Sequence, residues 1–285
     1  MCGINGYIKF NHQSKDQLNA DMNKMNQLIF HRGPDEDGVF TESNESHSIA
    51  MAMRRLSIID LSSGKQPIFT DDKQIVIVFN GEIYNYRELK SKLIKEGVTF
   101  STTSDTEVIL KLYEKYGVES FKELDGMFAF SIYDKKKNKL YVTRDFFGEK
   151  PLYYYKSDTQ FIWASELKSI VSVLDKKPAI NKRGMNLYFR LTYIPAPYTI
   201  YDNVHKLEPY QYIEYNISSG DFSIKPIDIE IKPETKKISF DEAKKDVKEL
   251  MYESVVSRSV SDVPIGTFSV SYTHLRAHET IHAIS

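Results

Sequence analysis

Cysteine occurs once in this chain, at position 2, immediately after the initiator methionine. Random placement would reach that position about once in every chain length of trials. The position has a chemical meaning. Cysteine is small enough for methionine aminopeptidase to expose it, and an exposed N-terminal cysteine carries a thiol and an α-amine on one residue. That amine has an ordinary pKa of about 7.7 to 8.0, so near neutral pH a useful fraction is free base able to take the thiol proton. Such a nucleophile has to be held rigidly, which asks for a strand beginning at the chain start. The alternative is a small residue packed in a core and chemically inert. Cys2 alone does not choose between the two.

Composition narrows the class of partner. At 285 residues and 41% hydrophobic content the chain can form two ordinary domains with packed cores. Its 38 Lys and Arg against 39 Asp and Glu give a formal charge of -1, so there is no basic field for nucleic acid or an anionic membrane. No apolar run approaches the ~20 residues that span a bilayer, and the N-terminus lacks the basic and apolar regions of a signal peptide. A single cysteine cannot form an internal disulfide, so the expected location is the reducing cytoplasm. Nineteen Tyr and 16 Phe point to sheet, where aromatics suit a half-buried pleated surface.

Residues 2–10 alternate loosely and end at Asn11, the pattern of an N-terminal strand. Leu18, Met22, Met25, Leu28 and Ile29 recur at helical spacing and predict an amphipathic helix over 15–30, stopped by Gly33 and Pro34. Short strands are predicted over 49–53, 56–59 and 75–79, with turns at Asn44 and Ser63-Gly64. Directly after the last strand comes Asn80-Gly81-Glu82. Gly81 can turn its N–H toward a ligand and Asn80 adds a side-chain NH2, a plausible oxyanion hole, although Asn-Gly is also a common turn. Helices are predicted over 84–95 and 106–116, the second capped by Ser104 or Asp105, with Glu107 or Glu114 toward solvent. Strand patterns return over 127–133, 140–144, 151–155 and 161–163, and Lys135-Lys136-Lys137-Asn138 reads as a solvated hairpin tip. This order of helix, strands, helices and strands is that of an α+β layered sandwich.

Taken together, several motifs resemble the N-terminal half of glutamine-hydrolysing asparagine synthetases, class II glutamine amidotransferases. They are Met1-Cys2-Gly3-Ile4, His31-Arg32-Gly33-Pro34-Asp35, Arg54-Arg55-Leu56-Ser57-Ile58-Ile59-Asp60 and Asn80-Gly81-Glu82-Ile83-Tyr84-Asn85-Tyr86, followed by Ser104-Asp105, Asp125-Gly126-Met127-Phe128-Ala129-Phe130 and Lys150-Pro151-Leu152-Tyr153-Tyr154. The resemblance runs unbroken from residue 1 to about 215 and reaches Asp262 to Phe268. It implies a four-layer αββα N-terminal-nucleophile sandwich over 1–215, then the helical beginning of an α/β synthetase domain over 216–268. It also implies roles. Cys2 would be the nucleophile and its own amine the base, Asn80 and the Gly81 N–H would stabilise the oxyanion, Arg55 would clamp the α-carboxylate of glutamine, and Asp105 and Glu82 would hold the α-ammonium and neighbouring polar groups. Hydrolysis through a thioester on Cys2 would supply ammonia for amidation of aspartate, with ATP and Mg used by the complete synthetase. The resemblance implies no metal or cofactor for this portion and leaves room for a homodimer. One departure is Met53, where the family often has histidine. Two other readings are a different class II amidotransferase, making amino sugars or nucleotides, and a catalytically silent scaffold that keeps the fold.

Residues 182–215, with Tyr193-Ile194-Pro195-Ala196-Pro197, resemble the connector between the family's two domains. Ser239 and Glu242 then form a capping box that opens a helix with Ala243, Val247, Leu250, Met251 and Val255 as its apolar stripe. Past Phe268 the family continues with a Ser-Gly-Gly-x-Asp-Ser loop for the pyrophosphate of ATP, yet here no glycine follows Gly266. Residues 269–285 resemble a peptide translated from sequencing-adapter DNA and are expected to be foreign to the domain. His274, His278 and His282 have the spacing of one helix face, but nothing nearby supplies the partners that metal-bound histidines need.

Overall fold

The structure, a computed structural model, describes residues 2–229, 235, 237–266 and 283–284. In chain order the strands are β1 (Gly3–Lys9), β2 (Glu36–Ser43), β3 (Ser48–Arg55), β4 (Ile68–Phe69), β5 (Ile75–Ile83) and β6 (Gly126–Asp134). They continue with β7 (Lys139–Arg144), β8 (Tyr153–Lys156), β9 (Gln160–Ala164), β10 (Val204–Lys206), β11 (Gln211–Asn216) and β12 (Phe222–Pro226). The helices are α1 (Lys15–Leu28), α2 (Tyr86–Lys95), α3 (Asp105–Tyr116), α4 (Leu167–Ser172), α5 (Lys182–Leu191) and α6 (Phe240–Ser257).

These twelve strands form two antiparallel sheets of six, in the orders β10-β8-β9-β1-β3-β2 and β12-β11-β7-β6-β5-β4, and Ile265–Gly266 pairs separately with Ala283–Ile284. Side-chain alternation decides what each face covers. Ile4, Ile8, Met51 and Met53 of the first sheet meet Val76, Val78, Val142 and Ile213 of the second in an inter-sheet core. The opposite face of the first sheet, with Tyr7, Ala50 and Ala52, takes the stripe Leu18, Met22 and Met25 of α1 and Ile170 of α4. The opposite face of the second, with Ile77, Phe79 and Phe130, takes Leu89 and Leu93 of α2 and Val108, Ile109 and Leu112 of α3. The result is the four-layer αββα sandwich that the resemblance implied.

Local signals explain the element ends. Ser14 caps α1 by accepting from the Gln17 amide, and Ser104 caps α3 by accepting from the Thr106 amide. The run Lys135 to Lys137 is a hairpin tip whose amines pair with Glu42, Asp72 and Asp134, so it is a set of ordinary ion pairs. Two local expectations are corrected. Residues 56–59 are not a strand, because the backbone groups of Leu56 and Ile59 bond to side chains of Cys2 and Arg55. Glu107 is buried instead of facing solvent, since its carboxylate accepts the Ser101 and Thr102 amides. Helix α6 carries the expected capping box of Ser239 and Glu242, and Val247, Leu250, Met251 and Val255 on it are exposed. No helix among the described residues is long and apolar enough to cross a membrane. His274, His278 and His282 lie outside the described residues.

Candidate active site

Strand parity builds the site. Ile4 and Ile8 of β1 face the second sheet, so Cys2, two positions before Ile4, points the same way and packs against the inter-sheet core. On β3, Met51 and Met53 face inward, and Arg55 is next in that series; on β5, Val76 and Val78 do, followed by Asn80 and Glu82. The two sheets thus deliver these side chains to one end of the sandwich. There Cys2, Arg55, Asn80, Gly81, Glu82, Asp105 and Lys150 line a cavity of about 180 Å³. That is smaller than the roughly 300–1,000 Å³ of drug-sized pockets and suits a small polar molecule.

Cys2 is held on two sides, at its thiol and at its carbonyl. Leu56 donates its N–H to Cys2 Sγ at 3.3 Å, and the Cys2 carbonyl accepts from Arg32 Nε at 2.9 Å. Gly33 lets the Arg32 turn lie against β3, because a Cβ there would sit 2.4 Å from the Arg54 carbonyl carbon. Arg32 is itself tied to Glu166, which also pairs with His31 at 2.8 Å. Burial pushes the Cys2 thiol up, while the Leu56 amide, the chain terminus, Arg55 and Lys150 pull it down.

Opposite the thiol, Asn80 is fully buried, and among the described residues neither its Nδ2 nor its Oδ1 has a hydrogen-bond partner. A buried amide without partners is unusual enough to need a reason. Its neighbour Gly81 is dictated by packing, since a Cβ there would stand 2.1 Å from the Met127 carbonyl oxygen and 2.8 Å from Phe128 Cα. On the same edge of β5, the Phe79 N–H bonds Gln66 Oε1 at 2.7 Å and the Ile83 N–H bonds Asp105 Oδ2 at 3.1 Å. The two-residue repeat aims the Gly81 N–H between them, along the cavity wall. Gly81→Ala is expected to pry β5 from β6 and lower stability by about 1–3 kcal/mol, read as a lower melting temperature with reduced activity.

Four charged groups ring the cavity. Because Ser104 is the cap, Asp105 at the first position of α3 is released toward the cavity, and burial pushes its carboxyl up to about 7. Burial likewise raises Glu82, opposed by Lys150. Arg55 is buried and held by Glu36 at 2.7 Å and by the carbonyls of Ile59 at 2.9 Å and Asp60 at 2.6 Å. Those bonds engage three of the five N–H donors of a guanidinium. Lys150 is buried beside the cavity, its ammonium pushed down by burial and up by Glu82 and Cys2. Its backbone is fixed by Asp145, whose carboxylate accepts the amides of Phe128, Glu149 and Lys150.

The structure therefore brings Cys2, Arg55, Asn80, Gly81, Glu82 and Asp105 together at one cavity. Sequence reasoning had given no role to Lys150, Leu56 or Arg32, though each lies in a quoted motif. A lysine before a proline and a leucine after two arginines carry no chemical signal until loop geometry aims them. Met53 sits in the inter-sheet core. Among the described residues there is no group of three or more His, Cys, Asp or Glu able to hold a metal.

A thiol at the head of the first strand of one sheet, facing a buried amide on the other within an αββα sandwich, defines the N-terminal-nucleophile class of fold. More narrowly, the chain belongs to the glutamine amidotransferase domain family, whose model matches residues 1–226. It is 44% identical to a putative glutamine-hydrolysing asparagine synthetase 2 of Methanocaldococcus jannaschii, an alignment covering 94% of this chain and 54% of that protein. It is 40% identical to glutamine-hydrolysing asparagine synthetase 1 of Bacillus subtilis, covering 94% of this chain and 42% of that one. The chain thus spans about half the length of these relatives. Among solved structures, glutamine phosphoribosylpyrophosphate amidotransferase of B. subtilis, complexed with ADP and GMP, aligns with a TM-score of 0.54 and 18% identity, over 81% of this chain and 50% of that one. At that identity the likeness speaks to the fold alone.

Proposed function

We propose that this chain hydrolyses the side-chain amide of glutamine at Cys2, releasing ammonia. The observation that carries the reading is the buried amide of Asn80, without a hydrogen-bond partner among the described residues, on the wall of the cavity that Cys2 lines. Such donors are useful where negative charge develops only during the reaction. Once Met1 is removed, the freed amine of Cys2 takes the thiol proton, and the thiolate adds to the amide carbon. The tetrahedral oxyanion meets Asn80 Nδ2 and the Gly81 N–H. Collapse breaks the C–N bond, the ammonium formed from the amine returns its proton to the departing nitrogen, and a thioester stays on Cys2. Water, deprotonated by the same amine, then releases glutamate and regenerates the thiol. Selectivity for a free amino acid follows from charge pairing: the donors of Arg55 left over from Glu36 and the loop carbonyls meet the α-carboxylate, while Asp105 and Glu82 meet the α-ammonium.

Asp105 supplies a test. Its carboxyl is raised from 3.8 to about 7, so between those values the folded chain holds a proton that the unfolded chain has lost. Its contribution to stability therefore falls as pH rises through that window. Binding runs the other way, because only the ionised carboxylate pairs with an ammonium. We expect ammonia release from glutamine with a kcat/KM that falls on the acid side through protonation of two groups, the Cys2 amine and, near pH 7, Asp105, and a shallower acid limb in Asp105→Asn, where the amine alone remains. Absence of ammonia release by protein lacking Met1 would sink the proposal.

Use of that ammonia for ATP-dependent amidation of aspartate, in a longer polypeptide, is the extension of this reading. Its support is the similarity to relatives named asparagine synthetases, which this chain matches over about half their length.

A further inference from the structure

The loop over residues 56–64 touches every part of the proposed glutamine site contributed by the first sheet. Its Leu56 N–H bonds Cys2 Sγ at 3.3 Å, its Ile59 and Asp60 carbonyls hold Arg55, and Leu56, Ile58 and Ile59 wall the cavity. The loop includes a strained residue, Asp60, at φ 53°. Three neighbours keep it in that shape. Internally, the Asp60 carboxylate accepts from Ser63; from α3's approach, it accepts the Thr103 amide at 2.8 Å. The third neighbour comes from 202 residues away. Asp262 Oδ2 accepts the Asp60 N–H at 2.8 Å, and the Asp262 N–H donates to the Ile58 carbonyl at 3.0 Å.

The segment that carries Asp262 is seated by other contacts as well. Arg258, which caps α6, lies 5.1 Å over the Tyr84 ring, and Val260 packs against the core of the second sheet and its helices. Asp262 thus grips both ends of the peptide from Ile58 to Asp60, the stretch whose carbonyls orient Arg55.

We propose that Asp262 is a positioning residue, a latch through which the segment after α6 sets the shape of the 56–64 loop and with it the affinity of the site for glutamine. The proposal rests on the glutamine-hydrolysis reading given above. Cys2 and Asn80 stand on or beside strands and are left in place when the latch opens, so the effect falls on binding and on access to the thiol. Turnover of bound substrate is largely spared.

The test uses the single cysteine as its own probe. In the full chain, alkylation of Cys2 by iodoacetamide is timed with and without glutamine, alongside ammonia release. In Asp262→Ala the glutamine concentration giving half protection and the KM are both expected to rise about 5–10-fold, with alkylation of the free enzyme faster and kcat within about twofold, as for loss of one charge-assisted hydrogen bond. Asp262→Asn keeps an acceptor at Oδ1 and is expected to recover most of the wild-type affinity, which a merely destabilised fold would not do. Asp246→Ala, on the exposed side of α6, is the control without effect. Alkylation and KM in Asp262→Ala both within twofold of wild type would overturn the latch. If wild type neither releases ammonia nor is protected by glutamine, the hydrolysis reading fails, while the alkylation rate of Asp262→Ala still decides the latch.

Discussion

Cys2→Ala is expected to reduce ammonia release from glutamine by a factor on the order of 10³ or more, because it removes the atom that forms the thioester and no other thiol exists in the chain. The comparison is clean on stability grounds. Cys2 packs against the rim of the inter-sheet core and its Sγ makes long, weak hydrogen bonds to Leu56, so the variant should fold and melt close to wild type. An assay that couples released ammonia to a nicotinamide-linked dehydrogenase reads the loss directly. Residual turnover within tenfold of wild type would mean that hydrolysis does not pass through Cys2. Intact mass of the active preparation is the companion measurement, since the mechanism gives the α-amine to Cys2 only after Met1 is gone.

Asn80→Ala is the second large effect. Loss of one preorganised oxyanion donor typically lowers kcat by about 100- to 1,000-fold. The glutamine KM should change little, because the amide oxygen of bound substrate carries its full negative charge only at the tetrahedral stage. Stability should be equal to wild type or slightly higher. The native side chain is a fully buried amide whose polar atoms find no partner among the described residues, so removing it relieves an unmet desolvation penalty even as it leaves a small void. A variant slower in kcat yet no less stable is the signature of a residue held in place for chemistry. A proportional rise in KM with kcat unchanged would assign Asn80 to ground-state binding.

Much of this arrangement was legible in the chain itself. Cys2 announced itself by position, and the alternation Ile4, Ile8 with Val76, Val78 foretold two facing sheets because a strand has only two faces. Asn80 and Gly81 could be located but not distinguished from a turn: what separates the readings is the backbone of β6 lying 2.1 Å from any Cβ at Gly81, a contact between segments far apart in sequence. Residues 56–59 look like a strand because Leu56, Ile58 and Ile59 are apolar, but their backbone partners are a thiol, a guanidinium and a distant aspartate. Glu107 followed helical period toward solvent, and the pull of two loop amides overrode it. Lys150 depends on the turn that Asp145 organises, which no local pattern signals. The particular roles of Arg55, Glu82 and Asp105 rested on resemblance, since charged residues at these spacings are equally at home in ion pairs and caps.

The thiol belongs to one sheet and the buried amide to the other, and among the described residues no backbone hydrogen bond joins strands of the two sheets directly. Their separation is maintained by the interdigitated side chains of Ile4, Met53, Val78, Val142 and their neighbours. Those residues do not line the cavity, yet their combined bulk works as a spacer that sets the gap between Cys2 and Asn80, across which the proposed reaction would take place. A conservative change in that hydrophobic layer, harmless to the fold, alters reaction geometry at the rim. On the proposed reading, the interior of this sandwich is answerable to catalysis as well as to folding.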